Sequence, residues 1–419
     1  MFSFKINYQS KTTKARVGLL TTPHGVINTP AFFPVGTQAT IKSLSPEELM
    51  QTGTEGILAN TYHLYLRPGE KVFKNLGGLH KLMNWSKPIM TDSAGFQVFS
   101  LGFGIEHDVG KMVNLYGDDL IAGQIMESKS QEMVVRTKLC KIEEDGPTFI
   151  SHLDGSVHFF PPEKSIAVQN ALGADLMVAL DECTSPLHNY DYTKASMERT
   201  HRWAVRSLQA LGNNSKQKMY GVIQGGPFTD LRKASAKFIG NLDFFGMGIG
   251  GALVSKKTMC EILEWIHPIL PTEKPRHLFG IGSIDDIFRA VERGVDTFDC
   301  VTPTRLGRMG HLLTKGHRLN TKQQYAAYKQ DKFRLDITKA IFLTDKNSVD
   351  PGCHCYTCQN YSRGYLCHLF RAKELLAYRL ATIHNVFFMQ QLMNDIREAV
   401  KEERLAKLKK DWLNYSNSI

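Results

Sequence analysis

The chain has 419 residues, of which 42 % are hydrophobic and 22 % are charged, which is typical of a globular protein with one large domain and an appendage. Its amino-terminal sequence, MFSFKINYQSKTTKARVG, contains no apolar stretch of signal-peptide length, and no run of about eighteen apolar residues occurs, which argues against a secreted or membrane-spanning protein. We therefore expect a cytoplasmic protein. The formal net charge of +10 favours a polyanionic partner without identifying one.

Short strands are predicted at the start of the chain, over FKINYQS and RVGLLTT, and polar turns between them indicate a small amino-terminal antiparallel sheet. Beyond residue 28, short apolar segments alternate with helical patterns such as SPEELMQTG and IDDIFRAVERG. The eight apolar segments are AFFPVG (31–36), GILAN (56–60), PIMTD (88–92), DLMVALD (175–181), MYGVIQGG (219–226), GMGIGG (246–251), HLFGIG (277–282) and FDCV (298–301).

These segments are nearly continuous in apolar or glycine residues, as expected of parallel strands that are buried on both faces. Eight strands alternating with helices are the count of a (β/α)8 TIM barrel, an α/β fold. A doubly wound open sheet uses the same units, so the count alone leaves both folds open. One stretch, TFISHLDGSVHFF, carries an Asp154-Gly155 turn and predicts a hairpin, within an excursion at about 102–161 that follows the third strand.

Polar residues close several of the predicted strands. Asn60, Asp92, Asp181, Gln224 and Asp299 all stand at carboxyl ends, and glycines at 251 and 282 expose backbone there. In a barrel those ends converge on the face where catalytic groups collect. A single Asp after a strand is usually a turn or cap residue, but several such groups at equivalent strand ends indicate a site.

The stretch TFDCVTPTRLGR supplies Asp299 and then two arginines, Arg305 and Arg308, on a predicted loop broken by Pro303 and Gly307. A carboxylate at a strand end with cations just beyond it suits a site that attacks a sugar and holds its phosphates. Taken alone, the stretch is more typical of a strand end followed by a solvated basic loop, and the rest of the chain favours the site.

Eight cysteines are present, four scattered and four crowded between residues 353 and 367. Three of them form the sequence CHCYTC, at Cys353, Cys355 and Cys358, and predict a structural Zn²⁺ site that needs a fourth ligand. His384, on the helical pattern LLAYRLATIHNVFFMQQL, is the favoured candidate. From spacing alone the rivals His354, His368 and Cys367 stay open. A site with four protein ligands leaves no position for water activation, which argues against a zinc hydrolase or deaminase.

The carboxyl-terminal sequence EAVKEERLAKLKKDWLNYS predicts a basic amphipathic helix, either a solvated surface helix or a contact for RNA phosphates. We therefore expect three parts of the chain: a catalytic barrel with its amino-terminal sheet at 1–310, a zinc-binding subdomain with closing helices at 311–395, and the basic helix at 396–419.

The combined motifs resemble those of the tRNA-guanine transglycosylases, from about residue 14 to residue 395. The resemblance is carried by NTPAFFPVGTQATIK, ILANTYHLYLRPG, PIMTDSAGFQVFSL, SHLDGS, ALDEC, YGVIQGG, GIGG, FDCVTPTRLGRMG and CHCYTCQ, together with His384. It implies a barrel with an inserted zinc subdomain, usually a homodimer. It also implies an enzyme, a pentosyltransferase, that exchanges the guanine at wobble position 34 of tRNAs with a GUN anticodon (those for aspartate, asparagine, histidine and tyrosine) for a 7-deazaguanine.

By this resemblance, Asp299 is the nucleophile that attacks the ribose anomeric carbon, and Asp92 transfers protons to and from the bases. Asp181 and Gln224 hydrogen-bond the purine edge and Gly251 offers a backbone N–H. Further expected contacts are stacking of the flipped base by Phe96 and Phe279, proximity of Cys183 to its exocyclic edge, RNA contacts by Arg305 and Arg308, and zinc ligation by Cys353, Cys355, Cys358 and His384.

Four features depart from the family pattern. Ala94 replaces a glycine, Ser283 replaces a common lysine, the excursion is longer, and ALVSKK follows Gly251 in place of a sequence with an acidic residue. The missing acid leaves an aminomethyl group without a charged partner, so the natural base is either queuine or 7-aminomethyl-7-deazaguanine, with queuine favoured. A non-catalytic tRNA-binding subunit of a heterodimeric transglycosylase is the alternative, although retention of Asp92, Asp181 and Asp299 argues against it.

Overall fold

The eight apolar segments form parallel strands that close into one barrel, which confirms the barrel over the open sheet. The computed structural model describes residues 1–99, 140–213, 215–251, 255–315 and 333–414. Around the barrel the strands are β4 (Ala31–Gly36), β5 (Ile57–Ala59), β6 (Ile89–Thr91), β10 (Leu176–Val178), β11 (Lys218–Ile223), β12 (Gly246–Ile249), β13 (Arg276–Leu278) and β14 (Thr297–Cys300). Strand β14 pairs in parallel with β4, with Asp299 opposite Phe33.

The barrel strands are buried almost throughout, because layers cover both faces of a closed parallel sheet. Every residue of β4, β12 and β14 is buried. Glycine fits at Gly246 because a Cβ there would lie 2.3 Å from the ring of Tyr220, which is itself fully buried. The strands are therefore packed to the point where side-chain volume selects the residue.

Smaller antiparallel sheets accompany the barrel. The predicted amino-terminal sheet contains β1 (Ser3–Gln9), β2 (Arg16–Thr22) and a third strand, β3 (Gly25–Thr29). The predicted hairpin is present as β8 (Gly146–Ile150) and β9 (Val157–Phe159), and β7 (Cys140–Glu143) pairs with β8. Residues 102–139 of the predicted excursion lie outside the described residues. Strands β15 (His311–Leu313) and β16 (Arg334–Asp336) form a further pair.

The helices follow the strands in the order that the alternation predicted. They are α1 (Pro46–Gln51), α2 (Thr61–Leu66), α3 (Glu70–Leu76), α4 (Gly78–Met83), α5 (Pro162–Leu172), α6 (Tyr190–Leu211), α7 (Thr229–Gly240), α8 (Lys256–Ile266), α9 (Ile284–Val291), α10 (Thr302–Arg308), α11 (Tyr356–Asn360), α12 (Arg363–Ala372), α13 (Leu375–Lys401) and α14 (Leu405–Asn414). Several begin at a capping side chain. At α1, for example, Ser45 and Glu48 form a capping box.

The chain divides into two compact units. One comprises Met1–Leu58, Met83–Pro88 and Gly280–Ile419, and the other comprises Ala59–Leu82 and Ile89–Phe279. Within the first unit, apolar residues of β15, β16, α12 and α13 form a core that also includes Cys355, Cys358 and Cys367. The functional division at residues 310 and 395 stays a prediction.

The structure differs from the sequence prediction at two places, α10 and the carboxyl-terminal helical pattern. The stretch after Asp299 is helix α10 and not the loop that Pro303 and Gly307 suggested. Pro303 stands in the first turn, where no helical hydrogen bond is lost, and Gly307 is needed because a Cβ there would lie 3.0 Å from Thr382 Oγ1.

The basic carboxyl-terminal pattern is divided between α13 and α14. Between them Glu403 adopts a left-handed φ of 54°. Its carboxylate accepts hydrogen bonds from the hydroxyls of Tyr8 and Ser10, at 2.7 and 2.9 Å, and from the backbone N–H of Lys11 at 2.7 Å. These contacts, which the local sequence does not reveal, end the first helix.

A buried ion pair anchors β14 within the first unit. Arg16 donates from Nε to Asp296 Oδ1 at 2.8 Å and from Nη2 to Oδ2 at 2.6 Å, and the two residues are 2 % and 0 % exposed. The Asp296 carbonyl accepts from Ala31 N at 2.9 Å, so the pair lies where β14 and β4 begin. Such a two-point contact fixes the start of the strand that carries Asp299.

Asp296→Asn should therefore lower the free energy of unfolding by about 3–5 kcal/mol, because it leaves the buried Arg16 charge without its carboxylate. The matched control is Asp285→Asn, which removes the partner of Arg289 in a partly exposed pair on α9 and should cost less than about 1 kcal/mol. Urea unfolding measures both variants. Equal losses would show that burial does not set the strength of the Arg16–Asp296 pair.

Candidate active site and metal centre

Asp92 follows β6 and is held from three sides by groups of its own unit. Its Oδ2 accepts from Asn60 Nδ2 at 2.6 Å, and its Oδ1 accepts from the backbone N–H groups of Thr61 and Ala94, both at 3.0 Å. Asn60 also caps α2 by accepting from His63 N at 3.0 Å. The orientation of the Asp92 carboxylate is therefore set by the start of α2 and by the turn that follows β6.

Asp181, at the end of the β10 segment, lies in a second hydrogen-bonded group. Its Oδ1 accepts from Ser93 Oγ at 3.0 Å and its Oδ2 from Gln224 Nε2 at 2.7 Å. Burial raises the pKa of the Asp181 carboxyl, while the hydrogen bonds from Gln224 and Ser93 oppose the rise. The side chain is thus tied to β6 and β11 and is poorly solvated.

Gln224 is 1 % exposed, and within the described chain its Oε1 has no hydrogen-bond partner. A buried carbonyl oxygen without a donor costs about 1–3 kcal/mol. A ligand with adjacent N–H donors would satisfy this oxygen and the Asp181 carboxylate together. The arrangement therefore favours a ligand that presents adjacent N–H donors.

Glycines close this group on two sides. A Cβ at Gly250 would lie 2.4 Å from Gln224 Nε2, and one at Gly251, where φ is +57°, would lie 2.8 Å from Gln224 Oε1. At Gly95 a Cβ would lie 2.4 Å from the Asp181 carbonyl oxygen. Backbone therefore packs directly against the polar side chains, where any larger residue would displace them.

Cys183 is buried beside these loops. Burial raises the pKa of its thiol to about 12, and the Gly251 backbone N–H is among the groups that oppose the rise. The thiol is therefore neutral near pH 7, and the Gly251 N–H lies on its side of the loop.

Ala94, one of the departures from the family pattern, is 1 % exposed at a left-handed φ of 72°, a conformation that disfavours residues with a Cβ by about 1–2 kcal/mol.

The predicted stacking residues are both placed in the second unit. Phe96 lies in the helical stretch at residues 95–99 and is half-buried. Phe279 follows β13, is half-buried, and packs edge-on against His277 with ring centroids 4.5 Å apart. That these two rings enclose a base stays a prediction.

Asp299 and the two arginines belong to the first unit. Asp299, in β14, is 8 % exposed and its Oδ1 accepts from Gly280 N at 3.0 Å. Arg305 and Arg308 are three residues apart on α10, so they share a face of that helix. Arg308 donates to the Thr304 carbonyl at 2.8 Å, and burial lowers the pKa of its guanidinium. The α10 helix is in turn held by Asn385, whose Nδ2 donates to the Pro303 carbonyl at 3.0 Å.

Two residues that support Asp181 and Gln224 were not singled out from the sequence. They are Ser93 and Arg232. Arg232 lies on the buried face of α7 with Ser235, Ala236 and Ile239. The sequence offers one signal for Arg232, which is an arginine at a helical position that otherwise predicts apolar residues. Because arginine is almost never fully buried without partners, such a position indicates a cation with specific contacts. Ser93, in contrast, carries no signal beyond its place after a strand.

The predicted metal ligands converge. The Sγ atoms of Cys353, Cys355 and Cys358 lie 3.8, 3.4 and 3.3 Å from His384 Nδ1, and all four ligand atoms lie within 4.8 Å of one another. Tetrahedral zinc with bonds of about 2.3 Å to sulfur and 2.0–2.1 Å to nitrogen requires S···N separations of about 3.5 Å. The group can therefore hold a metal ion and has the dimensions of a zinc site.

The surroundings of His384 fix its tautomer. Its Nε2 lies 2.6 Å from the Leu313 carbonyl oxygen, so Nε2 carries the proton and Nδ1 is left to bind the ion. The rival ligands are placed elsewhere: His354 and His368 are exposed, and Cys367 Sγ donates to the Lys339 carbonyl at 3.3 Å. Because the four-residue set completes a tetrahedron, it suits a structural ion.

Comparison with known proteins identifies the family. The family model described as queuine tRNA-ribosyltransferase matches residues 10–118 and 108–418. A putative queuine tRNA-ribosyltransferase of Archaeoglobus fulgidus is 46 % identical over 413 residues, which cover 98 % of this chain and 99 % of the relative. The chain belongs to the queuine tRNA-ribosyltransferase family. A queuine tRNA-ribosyltransferase of Thermoanaerobacter pseudethanolicus is also 46 % identical, over 98 % of this chain and 96 % of its own.

Membership of the queuine tRNA-ribosyltransferase family confirms the resemblance drawn from the motifs and makes the chain an enzyme of the pentosyltransferase class. The similarity extends through the whole chain, since a third relative, from Herpetosiphon aurantiacus, aligns with 100 % of it at 44 % identity. In the described part of the chain, every helix is too short or too polar to cross a membrane.

Cys355→Ser should abolish metal retention and lower the melting temperature, because three protein ligands no longer close the site and metal binding contributes folding free energy. The control is Cys367→Ser, a buried cysteine of the same core that lies outside the ligand set. Atomic emission on purified protein should find about one zinc ion per chain in the unmodified protein and the control. Full zinc content in Cys355→Ser would contradict the assignment.

Proposed function

We propose that the chain is a tRNA-guanine transglycosylase that exchanges the wobble guanine of tRNAs with a GUN anticodon for a 7-deazaguanine base. The observation that carries the proposal is the pair of neighbouring acceptors, the half-buried Asp181 carboxylate and the buried Gln224 Oε1, which has no donor within the described chain. Guanine and 7-deazaguanine present an N1–H and an exocyclic amine side by side. Adenine presents an acceptor at N1, which these oxygens would repel.

Asp299 is the nucleophile of the proposed exchange. Its carboxylate oxygen forms a bond to the ribose C1′ while the C1′–N9 bond breaks, so the RNA becomes covalently attached and guanine leaves with a proton from Asp92. The incoming base then attacks C1′ through N9, returns a proton to Asp92 and displaces the Asp299 carboxylate. Two inversions at one carbon retain the sugar configuration, and no phosphodiester bond is cut.

The hydrogen bonds of Asp92 and Asp299 suit these roles. Asp92 is held by two backbone N–H groups and one side-chain amide, which keep a proton-transferring carboxylate in a fixed orientation. Asp299 is buried, at 8 % exposure, and its Oδ1 accepts from Gly280 N, which helps to hold the carboxylate in place for attack. Arg305 and Arg308, on the helix that follows β14, are assigned to the anticodon-loop phosphates.

We further assign Zn²⁺ to the Cys353, Cys355, Cys358 and His384 site, where it would stabilise the fold of the subdomain, and cytoplasmic tRNA as the partner. The chain is expected to act as a homodimer. The alternative, a non-catalytic subunit of a heterodimer, requires that exchange depend on the carboxylates of another chain.

Asp299→Asn should lower the rate of guanine exchange by about 10⁴-fold or more, as loss of a covalent nucleophile does. Asp92→Asn should lower it by about 10²–10⁴-fold, the range for general acid–base groups. The assay uses GUN-anticodon tRNA preloaded with radiolabelled guanine, and denaturing gels detect the covalent RNA adduct. Asp285→Asn, a substitution in the partly exposed ion pair on α9, is the control. Release from Asp299→Asn at the unmodified rate, or no release from folded metal-loaded unmodified protein, would favour the non-catalytic subunit.

Queuine should be exchanged in preference to 7-aminomethyl-7-deazaguanine by about tenfold or more, since a lost charge-assisted bond to the aminomethyl group costs about 1.5–3 kcal/mol. Beyond Gly251, residues 252–254 lie outside the described residues, and α8 then begins with Lys256 and Lys257. Unlabelled guanine serves as the reference base in the same release assay. Incorporation of the aminomethyl base alone would contradict a queuine pocket.

A further inference from the structure

Arg232 is buried behind the loops that follow β11 and β12, and it bonds only to backbone carbonyls among the described residues. Its Nε donates to Gly226 at 2.7 Å and its Nη1 to Ile223 and Gly250 at 3.0 and 2.7 Å. Nη2 donates to Gly251 at 3.0 Å. The side chain is 0 % exposed. One guanidinium therefore joins the loop that carries Gln224 to the loop that carries Gly251.

The positive charge of Arg232 is stabilised by backbone carbonyl groups and not by a carboxylate of the described chain. In the described chain no carboxylate forms an ion pair with it, although buried arginines usually have one, as Arg363 has in Asp345 at 3.2 Å. Burial lowers the pKa of the Arg232 guanidinium to about 10, so the group is still protonated at neutral pH. A full positive charge is thus stabilised by four carbonyl dipoles and acts on the peptides that contain them.

The geometry of one peptide links this charge to the candidate base site. The bond between Gly250 and Gly251 is trans, so the Gly250 carbonyl and the Gly251 N–H point in opposite directions. Because the carbonyl points at Arg232, the N–H points away from it. This agrees with the position of the Gly251 N–H on the Cys183 side, where it favours the thiolate.

A cation at the carbonyl oxygen polarises the whole peptide group and makes its N–H a stronger donor, as chains of hydrogen bonds do in a medium of low dielectric constant. The family resemblance gives the Gly251 N–H as a donor to the base, and the acceptor that guanine presents beside its N1–H is the carbonyl oxygen O6. A guanidinium is suited to this task because its rigid fork reaches several carbonyls at once, whereas an ammonium is a single point charge.

We propose that Arg232 is a positioning residue for base recognition: it fixes the Gly250–Gly251 peptide and strengthens the Gly251 N–H as a donor to the O6 atom of guanine. The inference rests on the proposed function, since it takes guanine as the ligand. It goes beyond that function by assigning discrimination at O6 to a residue that does not contact the base.

The test compares guanine with 6-thioguanine, which keeps the N–H donors of guanine but carries a weakly accepting sulfur in place of O6. Equilibrium dialysis measures the affinity of each base for the zinc-loaded protein and for Arg232→Lys and Arg232→Met. Affinity for guanine should fall by about tenfold in Arg232→Met and by less in Arg232→Lys, which keeps the charge. Affinity for 6-thioguanine should change by no more than about twofold.

Arg363→Lys is the matched control, because it alters an equally buried arginine outside the candidate base site and should leave the ratio of the two affinities unchanged. Urea unfolding verifies that each variant is folded at the assay temperature. Equal losses for both bases in the Arg232 variants would assign Arg232 a purely structural role and overturn the inference. If unmodified protein binds neither base, the proposed function itself fails.

Discussion

The second unit depends on one constraint: polar side chains that close buried parallel strands must hydrogen-bond to one another, because little water reaches them. Ser93, Asp181 and Gln224, which follow three different strands, meet this constraint through two bonds of 3.0 and 2.7 Å. They follow strands that are fixed by sheet pairing, and the bonds between their side chains hold them in place before a ligand arrives. The one oxygen left over, Gln224 Oε1, is then a preformed acceptor and a source of specificity.

The first unit uses a comparable arrangement around α13. His384 directs one ring nitrogen to the three cysteines and the other to the Leu313 carbonyl, while the next residue, Asn385, bonds to the backbone of Leu313, His311 and Pro303. One turn of helix therefore connects the metal site to β15 and to α10. Because α10 carries Arg305 and Arg308, a metal ion held at this site would help to determine where the proposed RNA contacts lie.

The positions of the helices and strands were predicted from the sequence more accurately than their local conformation. All eight barrel strands were predicted, because short apolar runs between helical patterns leave few alternatives for a chain that must bury them. The helix at Thr302–Arg308 was not, since Pro303 and Gly307 break helices in general and are accepted here through tertiary contacts with α13.

The candidate site shows the same limit. The residue types alone marked Asp92, Asp181 and the cysteines as candidates for the site. The family resemblance supplied their roles. Spacing alone could not choose among His354, His368, Cys367 and His384, because the choice depends on which helix face returns to the cysteine loop. Arg232 was missed for a related reason: a sequence shows a cation on an apolar helix face but not that four carbonyls converge on it.

Asp181 and Arg232, near the candidate base site, are ionisable side chains whose charged forms are both disfavoured by burial. Burial raises the pKa of the Asp181 carboxyl above its value in the unfolded chain, so its contribution to stability is complete below the unfolded-state pKa and is lost as pH rises through the folded-state pKa. Burial lowers the pKa of Arg232, which likewise disfavours its charged form. Under the proposed function, the N–H donors of a guanine-like base would stabilise the Asp181 carboxylate, and its carbonyl oxygen would accept from the amide that Arg232 polarises. Under that proposal, groups whose charged forms are disfavoured in the free protein would contribute to selectivity for a ligand with donors and an acceptor in that order.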